Sequence, residues 1–137
     1  MRPKILIDKK EIVKKISDFF KGRNEILFAY IFGSFTEDET FNDVDIGIYL
    51  NPESLPTEVF YEVELSNQLE KILKIPVDIV ILNKTSDFIL HKATKGIMVK
   101  NNNDQIRTDY ITKHWKMYWD FKDKIREQVM EMKRGNR

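Results

Sequence analysis

Gly33 to Leu50, GSFTEDETFNDVDIGIYL, contains a strand that carries charge where a strand of its kind should not. Val44, Ile46, Ile48 and Leu50 alternate as on a strand with one face against a core, yet Asp43 and Asp45 stand between and before them. Side chains alternate across a strand, so the spacing predicts one run over Phe41–Leu50 in which both acids share the polar face with Gly47 and Tyr49. At roughly 3.3 Å rise per residue their Cα atoms lie about 7 Å apart, and two ionised carboxylates at that separation repel. An exposed sheet face carries such a pair with no further role. A hard divalent ion also answers the repulsion, because Mg²⁺ is held by one or two carboxylates together with phosphate oxygens and water.

The flanking sequence favours the ion. Pro76 opens PVDIVIL, a strand in which Val77, Ile79 and Ile81 point one way and Asp78 and Val80 the other. Every neighbour of Asp78 in that run is apolar, and a charge there is costly unless it is paired or functional. If the two strands lie side by side with their polar faces turned the same way, Asp43, Asp45 and Asp78 converge. Upstream, ILFAYIF (Ile26 to Phe32) reads as a strand covered on both faces and central in its sheet. Gly33 then allows a tight turn, and Ser34 with Glu37 three residues on has the form of a capping box. That signature needs no ligand, although the free N–H groups of a helix start also suit a phosphate.

Helical spacing fills the gaps. Asp8 is placed to cap a helix through Ile12, Val13, Ile16, Phe19 and Phe20 that Gly22 stops. After Asn51-Pro52 a second helix is expected from Pro56 or Thr57, with Val59, Val63, Leu69 and Leu73 on its core side. Ser86 and Asp87 cap a short helix ending at Gly96, IMVK forms a fourth, edge strand, and a long helix runs from about Asp104 to Lys133. Strands alternating with helices predict an α/β (α+β) fold built as a single domain over residues 1–137, with three or four strands in the sheet.

Composition removes several classes of function. The 23 basic and 22 acidic residues nearly cancel, so no global field draws the chain to nucleic acid or an anionic membrane. There is no cysteine, which excludes disulfides, thiolate metal sites and thiol catalysis and fits a reducing, cytoplasmic setting. No apolar run reaches bilayer length, and MRPKILIDKK lacks the core of a leader.

Gly33-Ser34, a short spacer, Asp43-Val44-Asp45 on a strand and then Asp78 in VDIVIL together resemble the nucleotidyltransferase superfamily with a DNA polymerase beta-like catalytic core. The small size, the segment LNKTSDFILHKATKGIMVK and the long last helix are similar, within it, to the minimal nucleotidyltransferases, MNT-type antitoxins paired with HEPN-family ribonuclease toxins. The likeness runs from about Asn24 into the last helix. It implies that Gly33 and Ser34 hold nucleotide phosphates, that Asp43 and Asp45 bind two Mg²⁺ (or Mn²⁺) ions, and that Asp78 completes the metal site and accepts the proton of the attacking hydroxyl. It further implies ATP as donor of AMP, a tyrosine of the HEPN toxin as acceptor, and a heteromeric complex with that toxin. A masking antitoxin without catalysis, or transfer to a small molecule such as an aminoglycoside, are the alternatives. The sequence departs from the family pattern in a Ser34-to-Asp43 spacer two residues short, in the acidic Glu37-Asp38-Glu39 within it, and in Asn42 where Ser is common.

Tyr110, Trp115, Tyr118, Trp119 and Phe121 put more aromatic surface on the last helix than one core stripe needs, and Trp and Tyr are enriched at interfaces. Self-association or a heteromer is therefore expected. Lys113 to Arg137 carries eight basic and four acidic residues, read as a solvated face and not as a nucleic-acid site. Arg107 and His114 match the Arg-x-His spacing of HEPN ribonucleases by coincidence, since too little chain remains for that all-helical domain. His91 reads as structural, in a segment that could line a nucleotide pocket.

Overall fold

A computed structural model of the protein describes residues 8–135, so the leader reading at 1–7 and the last two positions of the basic tail fall outside the described residues. The chain runs α1 (Lys9–Phe20), β1 (Ile26–Phe32), α2 (Ser34–Glu37), β2 (Val44–Leu50), α3 (Tyr61–Leu73), β3 (Val77–Ile81), α4 (Asp87–Ala93), β4 (Ile97–Asn101) and α5 (Asp104–Gly135). The strands form one mixed sheet in the order β3-β2-β1-β4, with β2 and β3 parallel and the other pairs antiparallel. As expected, β1 is interior and wholly buried, and β4 is an edge.

Alternation along the strands makes two cores. On one side Ile12, Ile16 and Phe20 of α1 and Leu65, Leu69 and Leu73 of α3 close over Ile46, Ile48 and their neighbours. On the other, Leu90 and Ala93 of α4 pack with Phe28, Tyr30 and Tyr49, and Tyr110 and Ile111 of α5 join them. Tyr49 lies flat on Phe28, with centroids 4.7 Å apart, and its other side meets Tyr110 at 4.6 Å. Gly47 has no side chain, which lets Leu82 sit on the strand; a Cβ there would lie 2.8 Å from the Leu82 Cδ2. The second face of β2 is thus covered too, apart from its first polar position.

Several expected boundaries move. Strand β2 begins at Val44 and not Phe41, so Asp43 sits just before it; Phe41 is instead pulled into the first core edge-on to Phe35. Helix α3 begins at Tyr61, because Asn51 caps a separate 3₁₀ turn over Pro52–Ser54 and leaves the following residues irregular. Its buried row is Leu65, Leu69 and Leu73; Val63 is two residues, or about 200° of helix, away from Leu65 and points to water with Val59. Helix α4 stops at Ala93 rather than Gly96. Gly96 is pressed against β1, where a Cβ would come 1.9 Å from the Ile31 carbonyl oxygen.

Local chemistry explains the helix ends. Asp8 caps α1 by accepting from the Lys10 amide at 2.9 Å, and the buried Lys100 ammonium donates to the Phe20 and Arg23 carbonyls at 2.6 Å each, closing the other end. Burial pushes the Lys100 pKa down from its ordinary value. Asn103 caps α5 by accepting from the Ile106 amide at 3.0 Å. Among the described residues no helix is long and apolar enough to cross a membrane.

Candidate functional site

Parallel pairing of β2 and β3 sets Asp45 directly across from Asp78, and antiparallel pairing of β1 and β2 sets Asp45 across from Phe32. The end of β1 and the starts of β2 and β3 therefore meet at one corner of the sheet. Adjacent paired strands lie about 4.8 Å apart, so the two carboxylates project side by side from the face that α4 and α5 partly cover. Asp43 and Asp78 are exposed and Asp45 is half-buried.

Asp45 feels the other two acids. Burial pushes the Asp45 carboxyl above its usual range, the negative charges of Asp43 and Asp78 push it further, and the Lys92 ammonium partly opposes them. Among the described residues no three acids or histidines stand in a ready-made metal cage. The donor set nevertheless fits a hard ion: oxygen ligands only, open to solvent, mutually repelling, and suited to an ion that keeps water and phosphate oxygens in the rest of its shell.

Gly33 completes the corner. Its φ of +82° is left-handed, and a Cβ there would lie 2.4 Å from the Asp45 Oδ2, so both the backbone turn and the approach of the carboxylate require glycine. The capping-box reading of Ser34 is corrected: Gly33 is the N-cap and Ser34 the first residue of the one-turn α2, with no side-chain cap. Instead the Thr36 hydroxyl donates to the Gly33 carbonyl at 2.9 Å. A cap conformation that only glycine adopts easily displaces the serine by one position.

The acidic spacer is also accounted for. Phe35 and Phe41 are buried at its two ends, and Lys9 of α1 holds it by donating to the Phe35 and Asp38 carbonyls. Glu37, Asp38 and Glu39 are exposed, and Glu37 lines the opening beyond Gly33.

Beyond Gly33 the surface opens into a cleft of about 450 Å³. Lys92 and Lys95 line it from α4, and Tyr118, Trp119 and Lys122 from α5. His91, a residue to which the sequence assigned a structural place, lies in its wall and is nearly buried, boxed by Trp115 and Tyr118 at 4.5 Å and by Trp119 at 5.4 Å. Burial first, then Lys95 and Lys122, lower its pKa. The lysines were missed in sequence because nothing in their spacing separates them from ordinary surface cations. The Arg107 and His114 pair proves structural: Arg107 donates to the Tyr30 hydroxyl at 2.8 Å and pairs with Asp104, while His114 Nδ1 lies 2.6 Å from Asp87.

The family model described as polymerase beta, nucleotidyltransferase matches residues 14–105. No curated protein matches in sequence. Among solved structures, a chain of the complex of tri-AMPylated HEPN toxin with MNT antitoxin from Shewanella oneidensis superposes with a TM-score of 0.68 at 17% identity, covering 91% of this chain and 98% of that one. A chain of a MntA–HepT toxin-antitoxin structure gives 0.66 at 17% identity, covering 90% and 97%, and one of a toxin-antitoxin structure with AMP-PNP gives 0.66 at 18%, covering 92% and 98%. At such identities the likeness is one of fold.

Proposed function

Because the chain belongs to the polymerase beta nucleotidyltransferase family, we propose that it transfers AMP from ATP to a tyrosine hydroxyl of a HEPN-family toxin, as the cytoplasmic antitoxin of that toxin. The observation that carries the reading is the corner where Asp45 faces Asp78 across the parallel pair and touches Gly33. Asp43, Asp45 and Asp78 would hold two divalent ions, Mg²⁺ or Mn²⁺, and Gly33 and Ser34 the phosphates. Such ions, when bound, lower the pKa of an attacking hydroxyl and neutralise the triphosphate.

The residues of the chain do the rest. The corner is open to solvent, and Asp78, exposed on the edge strand β3, accepts the proton of the attacking hydroxyl. The hydroxyl oxygen bonds to the α-phosphorus as the bond from that phosphorus to the bridging oxygen breaks, and pyrophosphate leaves. Gly33, having no side chain, leaves room for the Asp45 carboxylate to lie against the turn. Incubation with ATP labelled at the α-phosphate, Mg²⁺ and the cognate toxin is expected to label the toxin; no label on the toxin would refute the reading.

A second reading rests on α5. Phe121, Ile125, Val129 and Met132 are exposed at helical spacing, a surface that suits neutralisation by masking. Under masking alone, Asp43→Ala with Asp45→Ala leaves neutralisation intact. Under transfer, that pair abolishes it.

A further inference from the structure

Helix α5 meets the rest of the protein along one row of half-buried residues, Arg107, Tyr110, Ile111, His114, Trp115 and Tyr118. They reach β1 through Tyr30, the turn after β3 through the Leu82 carbonyl, and α4 through Asp87 and His91. Steps of three and one repeat every seven residues, the rhythm of a helix that packs along one seam. The same rhythm continues beyond Tyr118 through Phe121, Ile125, Gln128, Val129 and Met132, where the packing has ended and every residue is exposed. Phe121 and Met132 leave 63% and 67% of their surface in water. Over Asp120–Gly135, at 1.5 Å per residue, the uncovered seam runs for about 24 Å. An apolar stripe of this length and period is built to receive another helix.

The charges beside the stripe select that helix. Asp120 and Asp123 are engaged within α5 by Lys116 and Arg126. Lys124 and Glu131, one heptad apart on the same edge of the stripe, make no ion pair among the described residues. Two copies of α5 turned antiparallel about an axis between residues 126 and 127 set Phe121 over Met132, Ile125 over Gln128, and Lys124 of each beside Glu131 of the other. A parallel pair sets Lys124 beside Val129 and leaves it unmatched. We propose that α5 pairs two copies of this chain in the antiparallel sense, each covering the stripe of the other. The contact is isologous and closes at two. Its footprint, about 24 by 10 Å on each copy, is small for a specific interface, so the pair forms and separates with concentration. A toxin that docks on this stripe has to displace the second copy. The pairing does not depend on AMP transfer.

Sedimentation velocity on the full chain without toxin, over a dilution series starting at about 100 µM, tests this. A dimer that dissociates on dilution is expected. Phe121→Ser with Ile125→Ser should leave a monomer whose helix content by circular dichroism is unchanged. Lys124→Glu brings like charges together and should weaken dimerisation by about fivefold, and adding Glu131→Lys should restore it, with both effects shrinking in high salt. A monomer at every concentration overturns the proposal and gives the stripe to another protein, and a dimer that survives the serine pair overturns it equally. A dimer lost with the serine pair but indifferent to Lys124→Glu, or not restored by Glu131→Lys, overturns the antiparallel arrangement.

Discussion

Of the seven residues of β2, Asp45 alone is not buried, whereas α5 runs for 32 residues without burying one. The strand is paired along both edges and covered on both faces, so its backbone has no alternative position. The helix is fastened near its start, through Arg107, Tyr110 and Trp115, and beyond Trp119 every described residue is exposed. Chemistry that depends on carboxylates held to fractions of an ångström belongs on the first kind of element. Recognition of a second protein, which adjusts as it docks, belongs on the second.

Substitutions can break this contrast, and the largest effect should come from its one polar exception. Asp45→Asn is expected to lower AMP transfer by about 10²–10³-fold, measured as initial rate of toxin labelling. The same change should raise the melting temperature at neutral pH. The folded-state pKa of Asp45 is raised, so its contribution to stability is present at low pH and is lost as pH rises through that pKa. Removing the charge removes the loss, and the two melting curves should converge as pH falls toward the ordinary carboxylate value of 3.8.

Next in size, Ile46→Ala in β2 should cost about 2–5 kcal/mol in urea denaturation, because the residue is fully buried and its neighbours cannot close the gap. Gly33→Ala should cost about 1–3 kcal/mol through its left-handed backbone and the clash with Asp45. It should also slow transfer by about 10²-fold by moving the carboxylate. The smallest effect on the fold belongs to α5: Phe121→Ser and Ile125→Ser should each change stability by about 0.5 kcal/mol or less. Their toxin affinity, by calorimetry, should nevertheless fall by about tenfold. A large loss of stability from the α5 pair would erase the contrast.

What could be read from sequence follows the same division. Strand β1 was legible to the residue, because a continuous apolar run has one good home in a sheet. The meeting of Asp45 with Asp78 was legible as a condition, since each strand announced its own faces and only the pairing was missing. Ser34 was misplaced because a capping box and a glycine cap look alike until φ at Gly33 is known. Val59 and Val63 were placed inside because single valines fit several helical phases, and only the Leu65, Leu69 and Leu73 row decides among them. The segment around His91 was legible as a possible pocket wall, but not its partners across the cleft, since Lys92, Lys95 and Lys122 come together only when α4 packs on α5.

The most direct test of transfer by the carboxylate corner is a paired time course: toxin labelling and toxin ribonuclease activity followed in the same reaction, with the unaltered chain and with Asp43→Asn plus Asp45→Asn. The account predicts that label appears and ribonuclease activity disappears together with the unaltered chain, and that neither change occurs with the variant. Loss of ribonuclease activity with the variant at the unaltered rate and without label would contradict it.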